Sequence, residues 1–225
     1  MNAFAIGCMM PNLKYIAMTR ACIESIRVAG HNEDIVVVTT DESLRDKLSH
    51  EDCIVRCFDV IRYPAVDEYM DRVPWGKFRL SDAQKIHFWR LTEYNKVLAV
   101  DADVTLNKRF NGWDIPELSA RSGGLAPINT GIMMIKPSDK TVKDLLEVVQ
   151  SFDPETGWGD YDSFKFNKQE WGWDFQGSFT AQGYVFFYFR DRIRINTFKT
   201  LDHWSGKKKY QSQYRRMLSK YIKIL

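Results

Sequence analysis

The sequence predicts a single Rossmann-like α/β domain built on a mainly parallel sheet, with an aromatic-rich C-terminal half. Three observations predict it. Strand-like apolar runs alternate with helix-spaced segments through residues 3–150, the order that builds a parallel sheet covered by helices. Ile35-Val36-Val37-Val38 is β-branched throughout, as a strand buried on both faces requires. No Pro/Ser/Gly-rich linker and no internal repeat interrupts the 225 residues, a length that suits one large domain.

The elements follow in order. Ala3 to Cys8 is a short apolar strand, and Leu13 to Val28 has helical spacing through Ile16, Cys22, Ile23 and Ile26. The strand at Ile35–Val38 precedes a polar helix from Glu42 to Leu48 and a short strand from Cys53 to Phe58. Ser81-Asp82-Ala83-Gln84 has capping-box spacing and opens a helix reaching about Glu93. Strands at Lys96–Val100 and Gly131–Ile135 and a helix at Ser138–Gln150 complete the alternation. Between Trp158 and Phe189, 13 of 32 residues are aromatic and no single period dominates. Trp158, Trp171, Trp173 and Phe175 suit either a core or a stacking platform for a sugar, and Trp171-Gly172-Trp173 is the least core-like set.

Charge is unevenly spread. The net of +3 combines −6 over residues 1–189 with +9 over residues 190–225. An acidic body with a basic tail does not fit a general nucleic-acid binder, whose positive charge must reach its main binding face. No run approaches 18 apolar residues, so no membrane-spanning helix is expected. The N-terminus lacks a basic region and meets Pro11 early, so no signal peptide is expected either. Cys8, Cys22, Cys53 and Cys57 lack a second Cys or His pair at zinc-site spacing. Free thiols and a cytoplasmic location are the expectation.

The sharpest chemical feature is Lys96-Val97-Leu98-Ala99-Val100-Asp101-Ala102-Asp103, a hydrophobic strand ending in Asp-x-Asp. Ligands of open parallel sheets bind beyond the carboxyl ends of the strands. Two carboxylates there can share a divalent cation, and hard oxygen donors suit Mg²⁺ or Mn²⁺, which in turn suit a diphosphate. Two enzyme classes use such a strand. Metal-dependent glycosyltransferases hold a cation on it. Haloacid-dehalogenase-like phosphatases carry Asp-x-Asp-x-Thr, which Asp101 to Thr105 also matches, with Asp101 as nucleophile. In those phosphatases the motif follows a domain's first strand, whereas three strand-like segments precede it here.

The wider pattern favours the first class. Ser81 to Asp103, with its lysine-bearing helix, Leu91-Thr92-Glu93-Tyr94-Asn95-Lys96 and Asp-Ala-Asp, resembles the corresponding stretch of glycogenin-like family 8 glycosyltransferases. Pro127-Ile128-Asn129-Thr130-Gly131-Ile132 resembles that family's Phe-Asn-Ser/Ala-Gly segment, and Gly159-Asp160-Tyr161-Asp162 its Gly-Asp-Gln-Gly/Asp segment. His203-Trp204-Ser205-Gly206-Lys207-Lys208-Lys209 resembles its closing His-Phe/Tyr-x-Gly-x-x-Lys-Pro-Trp. The matches stand in the family's order over roughly residues 3–209.

The resemblance implies a nucleotide-diphospho-sugar transferase fold over 1–209 and a retaining, Mn²⁺- or Mg²⁺-dependent transfer from a UDP-sugar to a carbohydrate-bearing acceptor. It implies Asp101, Asp103 and His203 as metal ligands, with Lys85, Gly206 and Lys209 toward the diphosphate or donor sugar. Met9, Tyr15 and Ala102 would border the nucleotide, and Asn129, Thr130 and Asp160 the sugar and acceptor. Tyr161 departs from the family's Gln or Asp, and Gly7 to Asn12 lacks its usual uracil-reading set. An inactive sugar-binding relative is the non-enzymatic alternative, against which the retained Asp101, Asp103 and His203 speak.

Residues 210–225 read as a basic amphipathic C-terminal helix, with Tyr210, Tyr214, Met217, Leu218 and Tyr221 on one side and Arg215, Arg216, Lys220 and Lys223 on the other. Such a helix suits either docking on its own domain or peripheral contact with an anionic membrane surface. Its basic, aromatic character is similar to the C-termini of lipopolysaccharide galactosyltransferases of that family.

Overall fold

The computed structural model describes residues 1–9, 12–62, 81–153, 155–158 and 163–203, with the backbone alone at 202–203. Among the described residues seven strands form the central sheet: β1 (Asn2–Gly7), β2 (Asp34–Thr39), β3 (Ile54–Cys57), β4 (Lys96–Asp101), β6 (Ser119–Arg121), β7 (Asn129–Ile135) and β10 (Arg194–Ile195). Their order is β10-β6-β7-β4-β1-β2-β3. β1 pairs in parallel with both β2 and β4, and β2 with β3. β7 alone runs against the rest, antiparallel to β4 and β6. The sheet is therefore mainly parallel, as the alternation of elements predicts. An apolar run such as Gly131–Ile135 fits either direction, so the reversal of β7 has no signature in its residues.

Alternation along the strands divides the core into two layers. Ala3, Ala5, Val36, Val38, Val97, Ala99, Met133 and Ile135 face one side. Phe4, Ile6, Ile35, Val37, Leu98, Val100, Ile132 and Met134 face the other. Both sets are buried, which is why the central strands read as continuous hydrophobic runs. Helix α1 (Leu13–Val28) covers the second face with Ile16, Cys22, Ile23 and Ile26. Asn12 caps α1, its Oδ1 accepting from the Tyr15 amide at 3.1 Å. The short helix α2 (Ser43–Lys47) follows β2 and buries Leu44.

The first face is covered by a 3₁₀ helix (Gln84–Arg90), α3 (Asp139–Gln150) and α4 (Ala181–Phe189). The capping-box segment thus winds more tightly and ends earlier than the expected helix. Gln84 to Trp89 are all buried, so the segment has no exposed face and does not behave as an amphipathic surface helix. Helix α4 is also apolar all round, and Gly183 lets it approach its neighbours. A Cβ at that position would sit 1.5 Å from the Ser178 carbonyl oxygen.

Among the described residues much of the aromatic half packs into or against the core. Trp158 and Phe175 are buried within the first-face layer, and the Trp158 indole donates to the Ser178 carbonyl at 2.5 Å. Trp171 and Trp173 are half-buried and meet Phe175 and Phe179 edge to face at 6.4 and 5.8 Å. Trp171 sits on a hairpin of β8 (Ser163–Phe166) and β9 (Gln169–Gly172). Its two turn residues, Asn167 and Lys168, have φ of 50° and 68°, the left-handed pair that matches strand twist in a tight hairpin. No helix among the described residues is long and apolar enough to cross a membrane. The helix expected at 210–225 lies outside the described residues.

Candidate functional site at the carboxyl edge of the sheet

From β1 the chain moves outward to β2 and β3, then returns to β4 on the opposite side of β1. That reversal opens a crevice beyond the carboxyl ends of β1 and β4, where ligands of open α/β sheets bind. Gly7 and Asp101 are register partners at this edge. The cleft there is lined by Gly7, Met9, Tyr15, Ser81, Asp82, Lys85, Asp101 and Ala102. Met9, Tyr15, Lys85, Asp101 and Ala102 were all singled out in the sequence. Ser81 and Asp82 were not assigned to the site, since the capping-box pattern gave both a purely local role.

Asp101 closes β4, Ala102 and Asp103 form a turn, and β5 (Val104–Leu106) leads away. Lys85 Nζ lies 2.7 Å from Asp101 Oδ1 and also pairs with Asp82. Burial opposes the charge on Lys85, but the Asp101 and Asp82 carboxylates outweigh it and hold its pKa above the ordinary lysine value. For Asp101, burial and the neighbouring Asp82 and Asp103 prevail over Lys85, so its pKa is raised. Burial, then Asp103 and Asp101, push the Tyr15 phenol up to about 12. Two carboxylates thus share one ammonium while Asp103 adds its charge beside Asp101, an imbalance that a divalent cation would relieve.

Strand β11 (Leu201–His203) pairs antiparallel with β5, so that Val104 faces His203. The backbone of His203 is thereby placed beside the residue that follows Asp103. Among the described residues no group of three His, Cys, Asp or Glu side chains forms a metal site. Asp101 and Asp103 provide two oxygen donors, and Asp160, Gly206 and Lys209 lie outside the described residues. Because β7 opposes β4, with Ile132 across from Val100, its first residues reach the same edge. Asn129 is half-buried and accepts from the Gly131 amide at 2.8 Å, while Thr130 is buried.

Gln84 anchors the cleft's neighbouring wall. Its amide oxygen accepts from the Ile61 N–H at 2.8 Å, and its Nε2 donates to the Ile61 carbonyl at 3.0 Å. All four cysteines are free, and burial pushes the Cys8 thiol up to about 11.

No protein-family model matches the chain. In sequence it is similar to the putative UDP-glucuronate:xylan alpha-glucuronosyltransferase 3 of Arabidopsis thaliana, 30% identical over 138 residues, covering 59% of this chain and 21% of that protein. UDP-glucuronate:xylan alpha-glucuronosyltransferase 1 of the same plant is 27% identical over 148 residues, covering 64% and 21%. The chain spans about a fifth of the length of these curated relatives. Among solved structures, the galactosyltransferase LgtC, in complex with donor and acceptor sugar analogs, aligns with a TM-score of 0.54 at 14% identity, over 97% of this chain and 95% of that one. The glycosyltransferase GlyE of Streptococcus pneumoniae TIGR4 aligns at 0.52 and 12%, over 99% and 51%. The chain has the mixed α/β fold of these glycosyltransferases. Among the described residues Asp101 ends the fourth strand in chain order, whereas the phosphatase alternative expects its aspartate after the first.

Proposed function

We infer that this chain is a metal-dependent retaining glycosyltransferase that moves a sugar from a UDP-sugar to a hydroxyl of a carbohydrate-bearing acceptor. The observation that carries the reading is the placement of Asp101 and Asp103 at the topological switch point, with the His203 strand paired beside them. The glycosyltransferase fold and the names of the sequence relatives support it. Uridine, retention and manganese rest on the resemblance to family 8 enzymes.

Asp101 and Asp103 would hold the cation, with His203 as a third ligand; an imidazole among carboxylates favours Mn²⁺. When bound, that ion would supply positive charge to the leaving diphosphate. Lys85 holds the Asp101 carboxylate in place through its ion pair, and Tyr15 and Met9 border the nucleotide. Asn129 and Thr130 would orient sugar and acceptor hydroxyls by directed hydrogen bonds. In a front-face transfer the bond from the anomeric carbon to the diphosphate breaks. The acceptor oxygen bonds to the same face, and its proton passes to a phosphate oxygen. Lys209 and Gly206 would close on the diphosphate, and Asp160 on the anomeric carbon.

Turnover of UDP-sugars with and without Mn²⁺, using Asp103→Ala as control, tests this. Loss of turnover in both cases is expected. Turnover that survives both changes, or phosphoester hydrolysis in its place, refutes the reading.

A further inference from the structure

The side chains of the Asp82–Lys85–Asp101 cluster are unequally exposed: Lys85 is 6% exposed, Asp82 21% and Asp101 28%. A ligand entering the cleft therefore meets carboxylate oxygens, while the ammonium sits behind them. Among the described residues lining the cleft, Lys85 is the one cation, and two carboxylates already share it. Asp101 belongs to the proposed cation site. Asp82 lines the same cleft and is linked to Asp101 through Lys85.

We propose that Asp82 is a specificity-determining residue that admits UDP donors with an uncharged sugar and rejects UDP-uronates. This rests on the donor-cleft reading above. Asp82 and Asp101 line the same cleft, so on that reading a sugar joined to a diphosphate held at Asp101 would come within reach of Asp82. Hydroxyls of a neutral sugar can donate to that carboxylate, and hydrogen bonds to an ionised acceptor are the stronger kind. A uronate carboxylate gains no such bond. It faces a like charge in a partly buried cleft, where repulsion is greater than in water. The relatives named for UDP-glucuronate share 30% or less of their residues with this chain over the aligned stretches quoted, so a different donor sugar is compatible with the likeness.

The test uses the full chain with Mn²⁺ and three probes: UDP, UDP-glucose and UDP-glucuronate, the two sugars differing in a hydroxymethyl against a carboxylate. Affinities are measured by calorimetry for the wild type, Asp82→Asn and Asp82→Ser, with melting curves alongside. The wild type should bind UDP-glucose more tightly than UDP-glucuronate by about tenfold, and both variants should draw that ratio toward one. The ratio is the diagnostic quantity, because a general loss of structure weakens both donors together. UDP binding with a wild-type ratio of one, a preference for glucuronate, or a ratio that either folded variant preserves overturns this proposal alone. Failure to bind even UDP overturns the donor-cleft reading as well.

Discussion

The two ends of the central sheet are built on opposite electrostatic plans. At the amino end His31, Glu33 and Lys96 all find partners within the chain. His31 Nε2 accepts from the Phe110 amide at 2.9 Å, so its other nitrogen, Nδ1, carries the proton donated to Glu33 Oε2 at 3.0 Å. Glu33 also accepts from the Trp113 indole at 2.9 Å, and Lys96 Nζ donates to the Trp113 and Ile115 carbonyls. Phe4 fills the space beneath, edge to face with His31 and Trp113. At the carboxyl end Asp82 and Asp101 share Lys85, and Asp103 adds its charge beside Asp101. The first arrangement is satisfied by the chain alone; the second holds excess negative charge suited to a cation. On the proposed reading, stability and binding fall at different ends of the same strands.

Asp101→Asn should break this comparison most visibly. We expect Mn²⁺-dependent donor turnover to fall by about 10²–10³-fold, the usual scale for losing one electrostatic stabiliser. Stability should change by less than ~1 kcal/mol, because Lys85 keeps Asp82 as a partner and one like-charge repulsion disappears. Turnover assays and urea denaturation on the same protein check both halves.

Acid sensitivity comes next and belongs to the 3₁₀ helix of the carboxyl end. Burial lowers the His87 pKa from 6.5 to about 4; Arg90 adds to the shift, and the Asp59 backbone and carboxylate oppose it. His87 stacks on Phe58 at 4.9 Å. Between these two values the unfolded chain binds a proton that the folded chain refuses, so stability falls as pH drops from 6.5 toward 4. The loss attributable to this group reaches ~3 kcal/mol near pH 4, at about 1.4 kcal/mol per pH unit. Urea midpoints at pH 7 and pH 4.5 should converge in His87→Phe relative to the wild type.

Glu33→Ala sharpens the contrast from the amino end. It leaves the buried His31 Nδ1–H and the Trp113 N–H without their acceptor, a loss of ~2 kcal/mol. Donor affinity should stay within twofold or so, since the cleft lies at the other end of the strands. The smallest effect expected is that of Gly7→Ala. A Cβ there would meet Phe88 Cζ at 3.1 Å, which a small ring shift relieves at a cost of about 1 kcal/mol. Differential scanning calorimetry of the two variants gives the order directly.

The central strands were legible because burial on both faces imposes an unbroken apolar run, as at Ile35–Val38 and Val97–Val100. Most cleft residues were legible for a related reason: Asp-x-Asp after such a run has one place to go in an α/β sheet. Asp82 was illegible because its meaning is tertiary. It acquires a role only when Lys85 bridges it to Asp101, a residue 19 positions away on another element. Strands β5, β6, β10 and β11 are two or three residues long, too short to carry a period. Trp171 and Trp173 showed the reverse difficulty, since aromatic residues between polar ones read as exposed until the hairpin's packing is known.

The paired hydrogen bonds between Gln84 and Ile61 carry a consequence for how the cleft wall keeps its place. One primary amide, with an acceptor at one end and donors at the other, meets both the N–H and the C=O of a single residue, as a neighbouring strand would. The position next to Lys85 is thereby moored to the chain beyond β3 by a side chain acting as a rung of ladder. Gln84→Glu would keep the acceptor and lose the donor, turning a two-point fastening into a hinge.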